Sequence, residues 1–270
     1  MQKLTNQHLS EAFAYLAPEP EFNLFAIGDL EQFGMEGENV SCYTDDSWVP
    51  GNGFPYFLLN YRENFLLYSH DMNYDARTVG DFLAKKQPVN ISGKDELIIP
   101  LLPWFQNRER KLTRLARLNQ VTREQIQRAG SLLAQVKRLG EEDIPAIYDL
   151  YIQIDEFAAT YRRKTKEACC QDIRMNVTTL GRSYGIYEEG SLVSMAQTSA
   201  ENKKSAMVIG VATLPDFRRK GYARASVLSL CQDCLKEGKE FLCLFYNNPA
   251  AGVIYHSIGF QDLGNYTMLQ

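Results

Sequence analysis

Val211-Ala-Thr-Leu-Pro-Asp-Phe-Arg-Arg-Lys-Gly-Tyr-Ala-Arg-Ala225 leads from an apolar strand, through a basic glycine turn, into a helix. Val208, Ile209 and Val211 read as buried β-strand, Pro215 stops it, and an amphipathic helix is predicted from about Ala223. The amides of Gly221 to Arg224 then fall at a helix N-terminus without partners. Free amides and the positive end of a helix dipole bind anions. Gly221 lets the backbone approach a phosphate with no Cβ in the way, Ala223 keeps the next turn small, and Arg218, Arg219, Lys220 and Arg224 add charge.

A second segment follows thirty residues on. Phe241-Leu-Cys-Leu-Phe-Tyr-Asn-Asn-Pro-Ala-Ala-Gly-Val-Ile-Tyr-His-Ser-Ile-Gly-Phe260 gives another apolar strand, an Asn-Pro break, a short helix carrying Tyr255 and a Gly-Phe return. Arg218-x-x-Gly221-x-Ala223 followed by Asn248-x-x-Ala251-x-x-x-Tyr255-x-x-x-Gly259-Phe260 closely resembles the paired motifs of the GNAT superfamily, the acyl-CoA-dependent N-acyltransferases. The resemblance implies that Arg218, Arg219, Lys220, Gly221, Tyr222, Ala223 and Arg224 wrap the pyrophosphate of coenzyme A. It implies that backbone groups of Val211, Ala212 and Thr213 hold the pantetheine arm, that Asn248 reaches the pantetheine, and that Tyr255 protonates the departing thiolate.

The chemistry fits those residue types. An amine attacks the thioester carbonyl, and the tetrahedral intermediate expels a thiolate that a nearby phenol can protonate. Charge gathers on the carbonyl oxygen in the same step, and a backbone amide at Val211 or Ala212 can stabilise it without reorganisation. An alkyl ammonium at neutral pH lies roughly three units below its pKa, so its proton must leave. Some GNAT members use a glutamate on the fourth strand, whereas Ser205-Ala-Met-Val-Ile-Gly-Val-Ala212 has no carboxylate. Glu201, at the end of the preceding strand, is the expected base; Asp155 and Glu156 are the other carboxylates considered. The aromatic, acid-rich segment Ile154–Tyr161 is expected beside the acceptor, with Asp155, Glu156 and Tyr161 as substrate contacts.

With 270 residues, the chain is too long for one GNAT unit and suits two domains. Its 45% apolar and 23% charged residues are those of a soluble globular protein. A net charge of −4 argues against nucleic-acid or acidic-membrane partners, which call for a whole basic face. No stretch approaches the ~20 apolar residues of a bilayer span. The N-terminus has no apolar signal core, so the expected location is the cytoplasm and the six cysteines are expected to be reduced. Cys231-x-x-Cys234 lies in an apolar helical stripe and reads as core packing. His8 and His70 have no companions at ligand spacing, so no metal site is expected, and His256 reads as a surface residue.

The fold class expected is α/β, a mixed sheet with helices, with a complete GNAT fold in the C-terminal half. Thr122-x-x-Gln125 is a capping box opening a helix through Leu133, and Gln135-Val-Lys-Arg-Leu139 then starts a strand. This gives a first domain over 1–118, a linker helix over 119–134 and a catalytic domain over 135–270. The first domain repeats the element order of the second but has acids in Tyr68-Ser-His-Asp-Met-Asn-Tyr74, where Arg and Lys would be needed. It is read as a degenerate GNAT-like half that packs against the catalytic half or shapes the acceptor pocket. The resemblance extends to two-domain proteins of this layout, relatives of glycine N-acyltransferase among them. The expected activity is N-acetyl transfer from acetyl-CoA to a primary amine of a small molecule or peptide by direct attack in a ternary complex. The alternative is an acyl-CoA-binding sensor or scaffold without turnover. Pocket loops in this family often come from a second chain, which leaves room for a homodimer.

Overall fold

The computed structural model describes all of residues 1–270, and the chain divides into two compact units. Unit 1 comprises Met1–Leu115 and Leu263–Gln270, and unit 2 comprises Ala116–Asp262. The division differs from the sequence reading. It falls earlier than residue 118, the segment 119–134 belongs to unit 2, and the last eight residues return to unit 1 instead of completing the second domain.

In unit 1, β1 (Gln2–Lys3) is followed by helices α1 (Leu9–Leu16) and α2 (Leu24–Phe33). Strands β2 (Val40–Thr44), β3 (Phe57–Tyr61) and β4 (Asn64–Tyr68) form an antiparallel meander, with Cys42 opposite Leu59 and Leu58 opposite Leu67. Helix α3 (Ala76–Lys86) returns the chain to β5 (Asn90–Lys94), which lies parallel to β4 with Phe65 opposite Ile91. A short helix α4 (Asp95–Ile98) runs into a 3-10 stretch over Ile99–Trp104, where Pro100 and Pro103 break α-helical bonding. Both faces of the meander are covered. Phe57 and Leu59 pack with Leu16, Ala26 and Leu30, whereas Leu58 packs with Val79 and Leu83, as strand alternation requires. Strand β6 (Arg110–Leu118) begins in unit 1 and ends in unit 2.

Unit 2 opens with α5 (Arg123–Ala129), capped by the Thr122–Gln125 box, and a 3-10 stretch over Gly130–Gln135. Then come β7 (Lys137–Leu139), α6 (Ile144–Ile152), α7 (Asp155–Tyr161) and α8 (Lys166–Met175). Strands β8 (Ser183–Glu188), β9 (Ser191–Ser199) and β10 (Ser205–Thr213) form a second antiparallel meander. Helix α9 (Tyr222–Lys236) leads to β11 (Phe241–Tyr246), which is parallel to β10, and α10 (Pro249–Ile258) follows. The meander-plus-parallel-strand pattern of unit 1 thus recurs, and the mixed α/β class holds. Strand β12 (Gln261–Leu269) leaves unit 2 at Asp262 and pairs antiparallel with β5, Met268 opposite Ser92.

Helix α9 buries Val227, Leu228, Leu230 and Cys231 against Ala206, Val208 and Leu244 on one face of the sheet, and Cys234 joins them as core. On the other face, Ile147, Leu150 and Tyr151 of α6 pack on Met195 and Ala212. Each such fully buried aliphatic side chain contributes roughly 1.5–3 kcal/mol. No helix is long and apolar enough to cross a membrane.

Candidate functional site

Strands β10 and β11 pair from Ser205↔Phe241 to Val208↔Leu244 and no further, although β10 continues to Thr213. Residues 209–213 therefore have no ladder partner on β11, which leaves an opening between the strands. A β-bulge lies where the opening begins. Ile209 faces Gln197 and Ala212 faces Met195, so β10 spends one residue more than β9. The extra residue inverts the alternation: Ala206 and Val208 face α9, but beyond the bulge it is Val211 that faces α9 while Ala212 faces α6. Gly210 carries the strain, with φ +59°, and a Cβ there would run into the Tyr151 hydroxyl and lie 2.8 Å from Gln197 Nε2.

Beyond Thr213, Pro215–Phe217 form one 3-10 turn, and the basic turn enters α9. Arg219 (φ +64°) and Gly221 (φ +88°) are both left-handed, the first a rare state for a residue with a side chain. Left-handed residues in a turn are the backbone state from which anion nests are built. The first bond of α9 runs from Ala225 N to Gly221 O at 3.0 Å, so the amides of Gly221, Tyr222, Ala223 and Arg224 stay unpaired, and no side chain caps them. A Cβ on Gly221 would sit 3.1 Å from Leu132 Cδ1. The four amides are free donors at the N-terminus of α9, with Leu132 packed beside Gly221.

The basic side chains divide in their roles. Arg218 folds back, Nε donating to Thr213 O at 3.1 Å and Nη2 lying 3.9 Å from Glu156. Arg224 donates to Arg128 O at 2.7 Å. The Lys220 ammonium rests 4.6 Å above the Phe217 ring, and Tyr222 donates its hydroxyl to Glu188 at 2.6 Å, so Tyr222 offers an anion its amide and not its phenol. Asn248 is the N-cap of α10, its Oδ1 accepting from Ala250 N at 2.9 Å, and only its amide NH2 is left for a ligand. Thr213 is joined to Ser194 through their hydroxyls at 2.8 Å.

Tyr255 lies on the buried face of α10, its ring centroid 5.7 Å from Tyr246 and 6.1 Å from Phe260. Burial pushes its phenol up to about 12, which keeps it protonated at neutral pH. The neighbouring His256 is exposed, as the sequence reading expects; its Nε2 is 3.0 Å from Asp262, and Tyr246 donates to the same carboxylate at 2.8 Å.

Glu201 is not brought to this opening. It sits in the hairpin before Ser205, and Gly210 is five residues along β10, roughly 16 Å at strand rise. There Arg182 grips it through Nε (3.0 Å) and Nη2 (2.8 Å), and Lys239 lies 3.6 Å away. Burial alone would raise its carboxyl, but Arg182, Thr198 and Lys239 outweigh that and hold it below the usual carboxylate range. The expected base is a structural ion pair.

Residues 155–161 form a helix, α7, with Asp155 and Glu156 exposed on its first turn. Tyr161 stacks on Tyr151 at 5.0 Å, and Phe157 lies 4.7 Å from the same ring. Tyr151 in turn meets the bulge. Tyr151 and Gln197 were not singled out by sequence reasoning: a tyrosine in an apolar helical stripe and a glutamine in a strand both read as ordinary packing. An isolated glycine inside a strand, Gly210, was the one local signal of a bulge.

Unit 1 has no equivalent cradle. Its β4–β5 pairing runs to Leu67↔Gly93, one residue short of the end of each strand, and so does not open. The first turn of α3 is already capped by an anion of its own, Asp75 Oδ1 accepting from Thr78 N at 3.0 Å.

The family model described as GNAT acetyltransferase matches residues 93–269. Among solved structures, one of a Drosophila protein is similar at 12% identity and TM-score 0.67, covering 99% of this chain and 97% of that one. A GCN5-related N-acetyltransferase from Kribbella flavida is similar at 15% identity and TM-score 0.56, covering 91% and 94%. A GCN5-related N-acetyltransferase-like protein from Streptococcus suis is similar at 16% identity and TM-score 0.54, covering 92% and 96%. At these identities the likeness is one of fold. No curated protein matches the sequence.

Proposed function

The chain belongs to the GNAT acetyltransferase family, an acyltransferase family whose members use acetyl-CoA, and from that premise we propose that unit 2 is an N-acetyltransferase acting on a primary amine. The observation that carries the reading is the row of four unpaired amides, Gly221 to Arg224, beside strands that part after Val208 and Leu244. In this reading the amides and the side chains of Arg219 and Lys220 hold the diphosphate, and the pantetheine follows 209–213 into the opening. The amide of Val211 or Ala212 faces the thioester oxygen, where a fixed donor stabilises the developing charge. The amine nitrogen bonds to the carbonyl carbon, the carbon–sulfur bond breaks, and Tyr255 gives its proton to sulfur. Unit 1, whose matching positions are closed and capped, serves the fold or the acceptor side and not the nucleotide.

Calorimetry with coenzyme A tests the cradle, and thiol release from acetyl-CoA over a panel of amines tests the transfer. The lack of any carboxylate on β10 favours one second reading, an acyl-CoA sensor without turnover. Tight coenzyme A binding with no amine-dependent release, unchanged in Tyr255→Phe, would select it.

A further inference from the structure

We propose that the acceptor of this site is a weakly basic amine, of α-amino type, attached to an aromatic or large apolar group; the inference rests on the acetyltransferase reading above. The first observation is what surrounds the bulge. Strands β9, β10 and β11 carry no carboxylate among Ser191–Ser199, Ser205–Thr213 and Phe241–Tyr246; their ionisable groups are the buried Cys243 thiol and the Tyr246 phenol. The two side chains that reach Gly210 are Tyr151 and Gln197, both neutral. Tyr151 is buried, and burial drives its phenol well above the ordinary range, so it takes no proton from an amine.

The carboxylates of unit 2 on neighbouring elements are paired or turned to solvent. Glu156 of α7 faces the Arg218 guanidinium and Asp149 of α6 the Lys166 ammonium at 3.7 Å, while Asp155 and Asp216 are exposed. Glu188 takes the Tyr222 hydroxyl, Asp143 the Tyr187 hydroxyl at 2.6 Å, and Asp262 is shared by Tyr246 and His256. An alkyl ammonium entering the opening would bury a charge with no counterion and would find no acceptor for its proton.

A neutral amine meets neither obstacle. The nitrogen lone pair forms the new carbon–nitrogen bond and the carbon–sulfur pair leaves with sulfur. Sulfur takes the Tyr255 proton, and the proton shed by the nitrogen replaces it through water. From R-NH2 and the thioester, the products are amide and thiol, with no proton left over and no base consumed. The second observation is the aromatic set on α6 and α7, where Tyr151, Tyr161, Phe157 and Tyr148 pack ring to ring, Tyr148 6.4 Å from Tyr161. Rings at the acceptor side favour an aromatic or apolar substituent over a polyamine.

The test uses the full chain, acetyl-CoA and two acceptors that share a phenyl group, phenylalaninamide and phenethylamine, followed by thiol release from pH 6 to 10. An α-amino group titrates near 7.7–8.0 and an alkylamine near 10.4, so at pH 7 the first holds roughly 250- to 500-fold more neutral amine. We expect kcat/KM at pH 7 to favour phenylalaninamide by on the order of 100-fold. We also expect the ascending limb of the pH profile to move with the acceptor, near pH 8 for one and near pH 10 for the other. A limb fixed at one pH for both amines marks a base on the enzyme and overturns the proposal while leaving acetyl transfer intact. Coenzyme A binding with release to neither amine overturns the transferase reading, and the proposal with it. Alaninamide, lacking the ring, is expected to fall about tenfold or more below phenylalaninamide, as deletion of a buried apolar group requires; equal values overturn the aromatic part.

Discussion

The Tyr151 hydroxyl stands 3.5 Å from the carbonyl of Gly210, so a helix on one face of the sheet props the one left-handed residue of β10. Tyr151 itself is held by Phe157 and Tyr161, and through that chain of rings α7 fixes the point where the strands part. Gly210→Ala adds a methyl in a left-handed conformation and against Tyr151 and Gln197. We expect a loss of roughly 1–3 kcal/mol in denaturant unfolding and a larger proportional loss of thiol release than of coenzyme A affinity.

Gly221 tests the cradle. In Gly221→Val a branched side chain meets Leu132 and takes a left-handed backbone that costs about 1–2 kcal/mol. Coenzyme A affinity by calorimetry is expected to fall at least tenfold, with the midpoint of thermal unfolding lowered by only a few degrees. Unchanged affinity would place the diphosphate elsewhere.

Tyr255→Phe removes the proposed acid without emptying its site. Thiol release is expected to drop by on the order of 10²–10⁴, with coenzyme A binding unchanged. Because burial holds the wild-type phenol near 12, the wild-type profile should have no descending limb from this group below about pH 11.

The same burial makes a stability prediction at high pH. Tyr161, Tyr255 and Tyr266 are all pushed up to about 12, burial first among the causes, against 10.0 unfolded. A raised phenol stabilises the fold fully below pH 10, and that stability is lost as pH climbs toward 12. Unfolding followed by tyrosinate absorbance should therefore steepen between those values.

Glu201→Gln separates ion pair from base. It loosens Arg182, which keeps Glu237 at 2.6 Å, so we expect a stability loss of about 1–3 kcal/mol and kcat within twofold of wild type. Its carboxyl lies below the ordinary range, so the stability it lends is present above pH 4.5 and lost as pH falls further. A thousandfold loss of kcat would restore it as the base.

What the sequence disclosed was local. A glycine between basic residues, bounded by Pro215 and an apolar helix, announces its turn within fifteen residues, and the left-handed Gly221 with its free amides is where that reading set it. The point at which β10 leaves β11 is a matter of pairing across the fold, and no spacing in the chain encodes it. Glu201 misled for a related reason: its nearness in sequence to β10 says nothing of which end of the strand it occupies, and an antiparallel hairpin put it at the far one. The helix at 155–161 was missed because its acids and aromatics signal a site more strongly than a stripe. The pairing of β12 with β5 was not legible because nothing in Gln261–Gln270 tells a strand with which partner to pair.

The two passages of chain between units, one inside β6 and one inside β12, mean that no single scissor cut yields two self-sufficient pieces. A gene fragment beginning at residue 135 would lack Ala116–Leu118, the capped helix α5 and the 3-10 stretch whose Leu132 adjoins Gly221, and would carry a dangling tail made for somebody else's sheet.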